Sequence, residues 1–238
     1  MGLLLQPVTS DDDFKELIEC EWTAYETPYN GFKEIYCPTL GTGPNARHDS
    51  MKECQERQLA DHKGDSTSHW YKVVDSDSGQ IIGGAQWNIY HENPYLNGVG
   101  HIEATWWPEG EGRKFASMGM DQWFGPRGKR MNKPHILLAI CFVHPAHRRR
   151  GAGSLLLNWG VQKADELDLE TFIEAAQPGI PLYLSHGFKE VEEYWIDPKV
   201  EEPSEEWKQL KERIPPIPWM FMWRPKQGRY EEGKTALP

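Results

Sequence analysis

The sequence predicts an α/β fold, and three observations carry that expectation. Runs rich in β-branched and aromatic residues alternate along the chain with stretches whose apolar residues recur at helical spacing. One nearly continuous apolar run, Ile136–Val143, has the pattern of a strand covered on both faces of a sheet. That run passes through a short basic loop directly into an amphipathic helical stretch starting near Gly151.

Each element follows from local pattern. Leu3–Val8 reads as a first strand. Ser10 with Asp13 three residues on forms a capping box for a helix whose stripe is Phe14, Leu17, Ile18, Trp22 and Tyr25, ended by Pro28 and Asn30-Gly31. Phe32–Tyr36 is a short helical stretch, and Arg47–Asp61 a longer one with a weak stripe of Met51, Cys54 and Leu59. His69–Val74 and Gln80–Tyr90, joined by the turn residues Asp75 to Gly79, form an antiparallel hairpin with a bulge expected at Gly83-Gly84. Residues 91–134 are an insertion holding His101, Glu103, Trp106, Trp107 and Trp123, with a helix over Arg113–Phe124. Long insertions are often functional, so this one is assigned to substrate contact. After the strand Ile136–Val143 and the loop His144–Arg150, the residues Ala152, Leu155, Leu156, Trp159, Ala164 and Leu167 draw a helix. Thr171–Ala176 is a strand, Pro181–His186 a short helix with Gly187 as its left-handed stop, and Phe188–Trp195 a strand. Pro203–Ile214 and Trp219–Trp223 close the pattern as a helix and a strand before a polar tail.

The whole, residues 1–238, reads as a single domain with the 91–134 insertion. With 36 acidic against 26 basic residues the net charge is −10, which argues against affinity for phosphate backbones and so against a nucleic-acid partner. The apolar run Leu3–Leu5 is too short for a signal segment, and no stretch of about 18 apolar residues occurs, so a cytoplasmic protein with no membrane partner is expected. Cys20, Cys37, Cys54 and Cys141 lack metal-ligand spacing and read as reduced structural thiols, with no metal site. Eleven tryptophans suit an aromatic pocket, though core filling is the simpler account of most.

The chemistry is concentrated at Val143-His144-Pro145-Ala146-His147-Arg148-Arg149-Arg150-Gly151-Ala152-Gly153. A helix's first turn leaves backbone N–H groups unpaired at the positive end of its dipole, so an anion there gains hydrogen bonds and field. Gly151 and Gly153 remove side chains that would hold a pyrophosphate away, and three arginines add cationic donors. Taken alone, an RRRG run can equally be a solvated charge run with a tight turn. Neither the Walker nor the GxGxxG pattern is present.

Pro145, Arg148, Gly151 and Gly153 after an apolar strand form a PxxRxxGxG pattern that resembles the acetyl-CoA signature of the GNAT superfamily of N-acetyltransferases. A second pattern, LYxxxGF, similar to another signature of that family, follows as Leu182 to Phe188. The resemblance is strong over Ile136–Trp195. It implies a mixed, mainly antiparallel central sheet of about seven strands flanked by helices and splayed at the acetyl-CoA site. It also implies acetyl-CoA as co-substrate, bound by Cys141, Phe142 and Val143 along pantetheine and by Arg148, Arg149, Arg150, Gly151, Ala152, Gly153 and Ser154 around the pyrophosphate. Many members carry Asn seven residues before the motif tyrosine, where this chain has Ala176; the neighbouring Gln177 is the substitute.

The same resemblance makes Tyr183 the acid that protonates the leaving thiolate, besides contacting the cofactor; an ordinary phenol near pKa ~10 holds its proton at neutral pH. A backbone N–H near Val143 is expected to face the oxyanion. The strand Ile136–Val143 offers no carboxylate as general base, so Glu103 or His101 from the insertion, or a water relay, is expected to serve; Glu103 is the residue selected. His144 and His147 read as structural or surface histidines. The expected reaction is acetyl transfer to a primary amine of a small molecule, by direct attack through a tetrahedral intermediate. A protein lysine or N-terminal acetyltransferase and a non-catalytic acyl-CoA-binding module are the alternatives, and a homodimer is left open.

Overall fold

A computed structural model describes residues 2–238. The chain runs through β1 (Leu3–Pro7), α1 (Asp11–Glu26), α2 (Gly31–Tyr36), α3 (Ala46–Gly64), β2 (Ser68–Asp75), β3 (Ile81–Tyr90), α4 (Glu111–Phe124) and α5 (Arg127–Arg130). It continues through β4 (His135–Val143), α6 (Ala152–Leu167), β5 (Glu170–Ala175), α7 (Ile180–Ser185), β6 (Lys189–Ile196), α8 (Glu205–Arg213) and β7 (Ile217–Arg224). The seven strands form one sheet in the order β1-β2-β3-β4-β5-β7-β6, antiparallel throughout except for the parallel pair β4 and β5. That is the α/β class and the mainly antiparallel sheet expected.

Local chemistry accounts for the element ends. Ser10 caps α1 by accepting from the Asp12 N–H at 3.2 Å, while Asp13 pairs with Lys72 at 2.6 Å instead of closing a reciprocal box. The irregular register between β2 and β3 falls at Val73/Val74, opposite Ile81 and Gly83, rather than at Gly83-Gly84.

Three packed clusters hold the layers together. Beneath α6, Leu156, Leu157 and Ala164 meet Trp87, Ile136 and Ile173 of the sheet. On α1 and α3, Phe14, Leu17, Ile18 and Cys54 pack against Trp70, Ile81 and Phe142. Beyond β5, α4 and α8 bury Phe115, Met120, Trp207 and Leu210 against Phe172, Trp219 and Phe221. Eight of the eleven tryptophans are buried, so core filling does explain most of them.

The expectation of four reduced thiols is corrected: Cys37 and Cys54 form a disulfide, leaving Cys20 and Cys141 free. The 17-residue spacing that rules out a shared helical turn instead joins the end of α2 to α3, which folding brings to a Cα separation of 5.9 Å. No helix of the described residues is long and apolar enough to cross a membrane.

Candidate active site

The site begins where the sheet comes apart. β4 pairs with β5 only from His135–Leu138 against Glu170–Ile173. Beyond that point β4 follows β3 to Val143, while β5 follows β7 to Ala175. Gln86 faces Ile140 and Trp87 faces Leu138, so Ala139 is an extra residue in β4 where the divergence starts. Bulges bend a strand and re-aim its neighbours, which accounts for the V-shaped opening.

A cleft fills this opening. Its floor is Leu138 to Cys141 on one strand and Ile173 and Glu174 on the other; Tyr183 from α7 closes one end. From above, α1 and α2 contribute Glu21, Trp22, Tyr25, Phe32 and Tyr36, and Trp123 and Trp219 complete an aromatic wall. Phe32 stacks on Trp123 with ring centroids 4.2 Å apart, and Trp123 lies 4.9 Å from Trp219, so the wall is one packed unit.

At the end of β4 the basic loop turns into α6. Arg149 has φ 64° and Gly151 φ 97°, and Gly151 precedes the helix without any side-chain cap. A Cβ at Gly151 would meet nothing, so glycine serves the left-handed turn there and leaves the first-turn amides open to an anion. Gly153 answers to a packing constraint as well: a Cβ there would come within 2.9 Å of Leu182 Cδ2, so its absence lets α6 approach α7. The arginines also divide their labour. Arg148 donates to the Val143 carbonyl at 3.2 Å and the Ala24 carbonyl at 2.9 Å, tying the loop to α1. Arg150 pairs with Asp75 at 2.7 Å and donates to His147 Nδ1. Arg149 is exposed and keeps its guanidinium for solvent or a ligand.

Electrostatics in the cleft are set by burial. Tyr183, 8% exposed, has its pKa pushed well above the ordinary phenol value by desolvation, with Cys141 adding to it. Burial alone pushes the Cys141 thiol up to about 12. Tyr25 is raised well above its usual value by burial, followed by Glu21, Cys141 and Tyr183, which places those three groups within electrostatic reach of Tyr25. Glu21 is 1% exposed and its carboxyl is raised to about 7 by desolvation, against the opposing Gln58 hydrogen bond and the Arg57 charge. Its one hydrogen-bond partner is Gln58 Nε2, which donates to Oε2 at 2.9 Å. Glu174 is compensated quite differently: Arg127 grips it through two hydrogen bonds of 2.7 and 2.5 Å, with side-chain exposures of 8% and 2%.

The residues singled out in the sequence are not all brought here. Tyr183 and Cys141 line the cleft, with Phe142 and Val143 continuing the same strand toward the loop. Gln177 is exposed in the turn after β5, next to the cleft residue Ala176. Glu103 and His101 lie elsewhere, lining a shallow surface hollow with Glu109, Arg113 and Lys114. There His101 contacts Asp121 at 2.7 Å and Glu103 at 3.2 Å, and the Glu103 side chain is 52% exposed. Of the three insertion tryptophans only Trp123 reaches the cleft; the indole N–H groups of Trp106 and Trp107 both donate to the Ile35 carbonyl. Glu21 and Tyr25, on α1, were missed as site residues because their helix reads simply as a packing helix. The available signal was Glu21 itself, next to Trp22 and on the apolar side of that stripe. Among the described residues no group of three or more His, Cys, Asp or Glu gathers as a metal site.

Comparison with known proteins agrees with this geometry. The Acetyltransferase (GNAT) family matches residues 29–188. Among solved structures, arylalkylamine N-acetyltransferase 2 from Aedes aegypti aligns over 94% of this chain and 98% of its own, with a TM-score of 0.60 and 15% identity. A Corynebacterium glutamicum structure described as histone acetyltransferase HPA2 and related acetyltransferase aligns over 100% of this chain and 99% of its own, with a TM-score of 0.57 and 20% identity. No curated protein matches the sequence. A strand pair that parts at a bulge, a glycine-led helix at its open end and a family match over two thirds of the chain converge: this chain belongs to the GNAT family of acetyltransferases.

Proposed function

We propose that the protein transfers an acetyl group from acetyl-CoA to a primary amine of a small molecule. The observation that carries this reading is the cleft between the diverging strands, lined by a buried tyrosine, with an uncapped helix start following the strand that forms its floor. The residues fit the coenzyme. The amides of Gly151 to Ser154, led by a residue whose Cβ position is open space, suit a diphosphate, and Arg149 adds an uncommitted cation. The side chains of Arg148 and Arg150 serve by holding the loop in shape. Along β4, Cys141, Phe142 and Val143 leave the edge facing β5 free of ladder bonds, which suits an amide-bearing pantetheine arm.

Acetyl-CoA supplies the thioester carbonyl. The end of β4 aims a backbone N–H at the oxygen that becomes negative as the amine attacks. Tyr183, protonated across the neutral range, gives its proton to the departing sulfur. The enclosing aromatic wall favours a compact acceptor over a peptide laid across an open groove. The name of the mosquito structure, an arylalkylamine acetyltransferase, accords with such an acceptor.

The test is isothermal titration with acetyl-CoA followed by thiol release over a library of amines and peptides. Binding with amine-dependent thiol release is expected. Release only with peptides would support a protein acetyltransferase, and binding without release by any acceptor would support a non-catalytic acyl-CoA module.

A further inference from the structure

Resting on the reading above, we infer that Glu21 is the general base, taking the proton from the acceptor's ammonium inside the aromatic cleft, and that Tyr25 connects it to Tyr183. The cleft holds two carboxylates, and only one is available for this work. Glu174 is occupied by the two-pronged Arg127. Among the described residues Glu21 is in no ion pair; it accepts one neutral hydrogen bond, from Gln58, on one of its two oxygens, and feels the Arg57 charge only at a distance. A buried carboxylate without a cation in direct contact is unfavourable, and such a group either takes up a proton or receives a cation. An alkylammonium is that cation. The ammonium among the cleft-lining residues, that of Lys33, is held over the Trp22 ring at 4.1 Å and lies 3.9 and 3.8 Å from Glu26 and Glu34. The apolar body of the acceptor then lies along Phe32, Trp123 and Trp219, so the acceptor class is a primary amine carrying a flat or bulky apolar group.

The proton balance closes without another reagent. Glu21 takes one proton from R–NH3+ and passes it to water. The nitrogen lone pair forms the C–N bond, the C–S bond breaks, and Tyr183 O–H protonates the sulfur. The nitrogen's second proton goes to Glu21 and returns through the Tyr25 hydroxyl to the Tyr183 phenolate. The products are R–NH–acetyl, the thiol and one proton released to solvent.

A carboxyl raised to about 7 is tuned for this exchange, being part ionised where the enzyme works. The groups facing it are Tyr25 on α1, Lys33 and Tyr36 on α2, Arg57 and Gln58 on α3 and Cys141 on β4. Only a deprotonated base accepts the proton, so kcat/KM should fall as pH drops through about 7.

The experiment compares wild type with Glu21→Gln, which keeps the size and an acceptor for Gln58, using two amines of similar shape. One is an ordinary alkylamine; the other carries electron-withdrawing fluorines and is already neutral at pH 7. Glu21→Gln should lower kcat/KM for the alkylamine about 100-fold or more, lower it about tenfold less for the fluorinated amine, which needs Glu21 only for the acidic proton lost after attack, and bind acetyl-CoA unchanged. Equal losses for both amines, or no loss for either, would overturn the assignment. Should Glu21→Gln not fold, Gln58→Leu removes the bond favouring the ionised carboxyl and should move the acid limb to higher pH; an unmoved limb also overturns it. Failure of wild type itself to bind acetyl-CoA or acetylate any amine would instead refute the proposed function, so the two failures are distinct.

Discussion

The Arg127–Glu174 pair offers a demanding test of how the cleft is held open. Arg127 projects from the short helix α5 and its guanidinium lies 3.7 Å from the Phe124 ring centroid while gripping Glu174 on β5, one residue past the last β4 pairing. Burial works against the charge on Arg127, but the Glu174 carboxylate outweighs it and holds the pKa above the ordinary guanidinium value. Replacing Arg127 by Met keeps much of the packing and leaves a carboxylate only 2% exposed with no counter-charge. Removing one partner of such a pair costs about 3–5 kcal/mol, so a fall in Tm on the order of 10 °C is expected for a chain of this size. Urea unfolding of Arg127→Met, Glu174→Met and the double variant measures it. The double variant should recover to within about 1 kcal/mol of wild type, because two apolar side chains need no charge compensation. A single-variant loss below about 1 kcal/mol, or a double variant whose loss equals the sum of the singles, would refute the argument.

Three further outcomes are expected. Tyr183→Phe should lower kcat about 100-fold with acetyl-CoA affinity unchanged in titration, since the phenol acts on the departing thiolate; unaltered turnover would remove it as the acid. Gly151→Val should weaken acetyl-CoA binding by about tenfold or more, because a β-branched residue at φ 97° distorts the turn that presents the amides. His135 is fully buried, its Nδ1 2.6 Å from the Lys133 carbonyl, and burial lowers its pKa to about 4. Its contribution is full above the unfolded value near 6.5 and drains as pH falls toward about 4, so the acid loss should include on the order of 3 kcal/mol that His135→Phe retains.

The strand, loop and helix from Ile136 to Leu167 could be read directly from the sequence, as could the turn before Phe188, because their determinants are local. An unbroken apolar run, a glycine where the backbone turns left-handed and a 3.6-residue stripe act over a few neighbours. These features, with the two motifs, were enough to indicate the α/β class, the mainly antiparallel sheet and the acetyltransferase family. At Gly153 the packed structure adds a constraint no local pattern reveals, Leu182 lying against it.

Tertiary structure alone decided the rest. Where β4 leaves β5 depends on a ladder between segments more than thirty residues apart, and on one extra residue in register with β3. Which carboxylate reaches the cleft depends on α1 lying across β3 and β4, so Glu21 enters while Glu103, inside the insertion that looked functional, faces a separate surface hollow. The Cys37–Cys54 bond likewise joins two helices whose relative placement no local pattern encodes. Short-range sterics and periodicity are written residue by residue, but the meeting of positions 21, 25, 141 and 183 is a property of the closed chain, and with it the shift of a carboxyl toward neutrality that water would never permit.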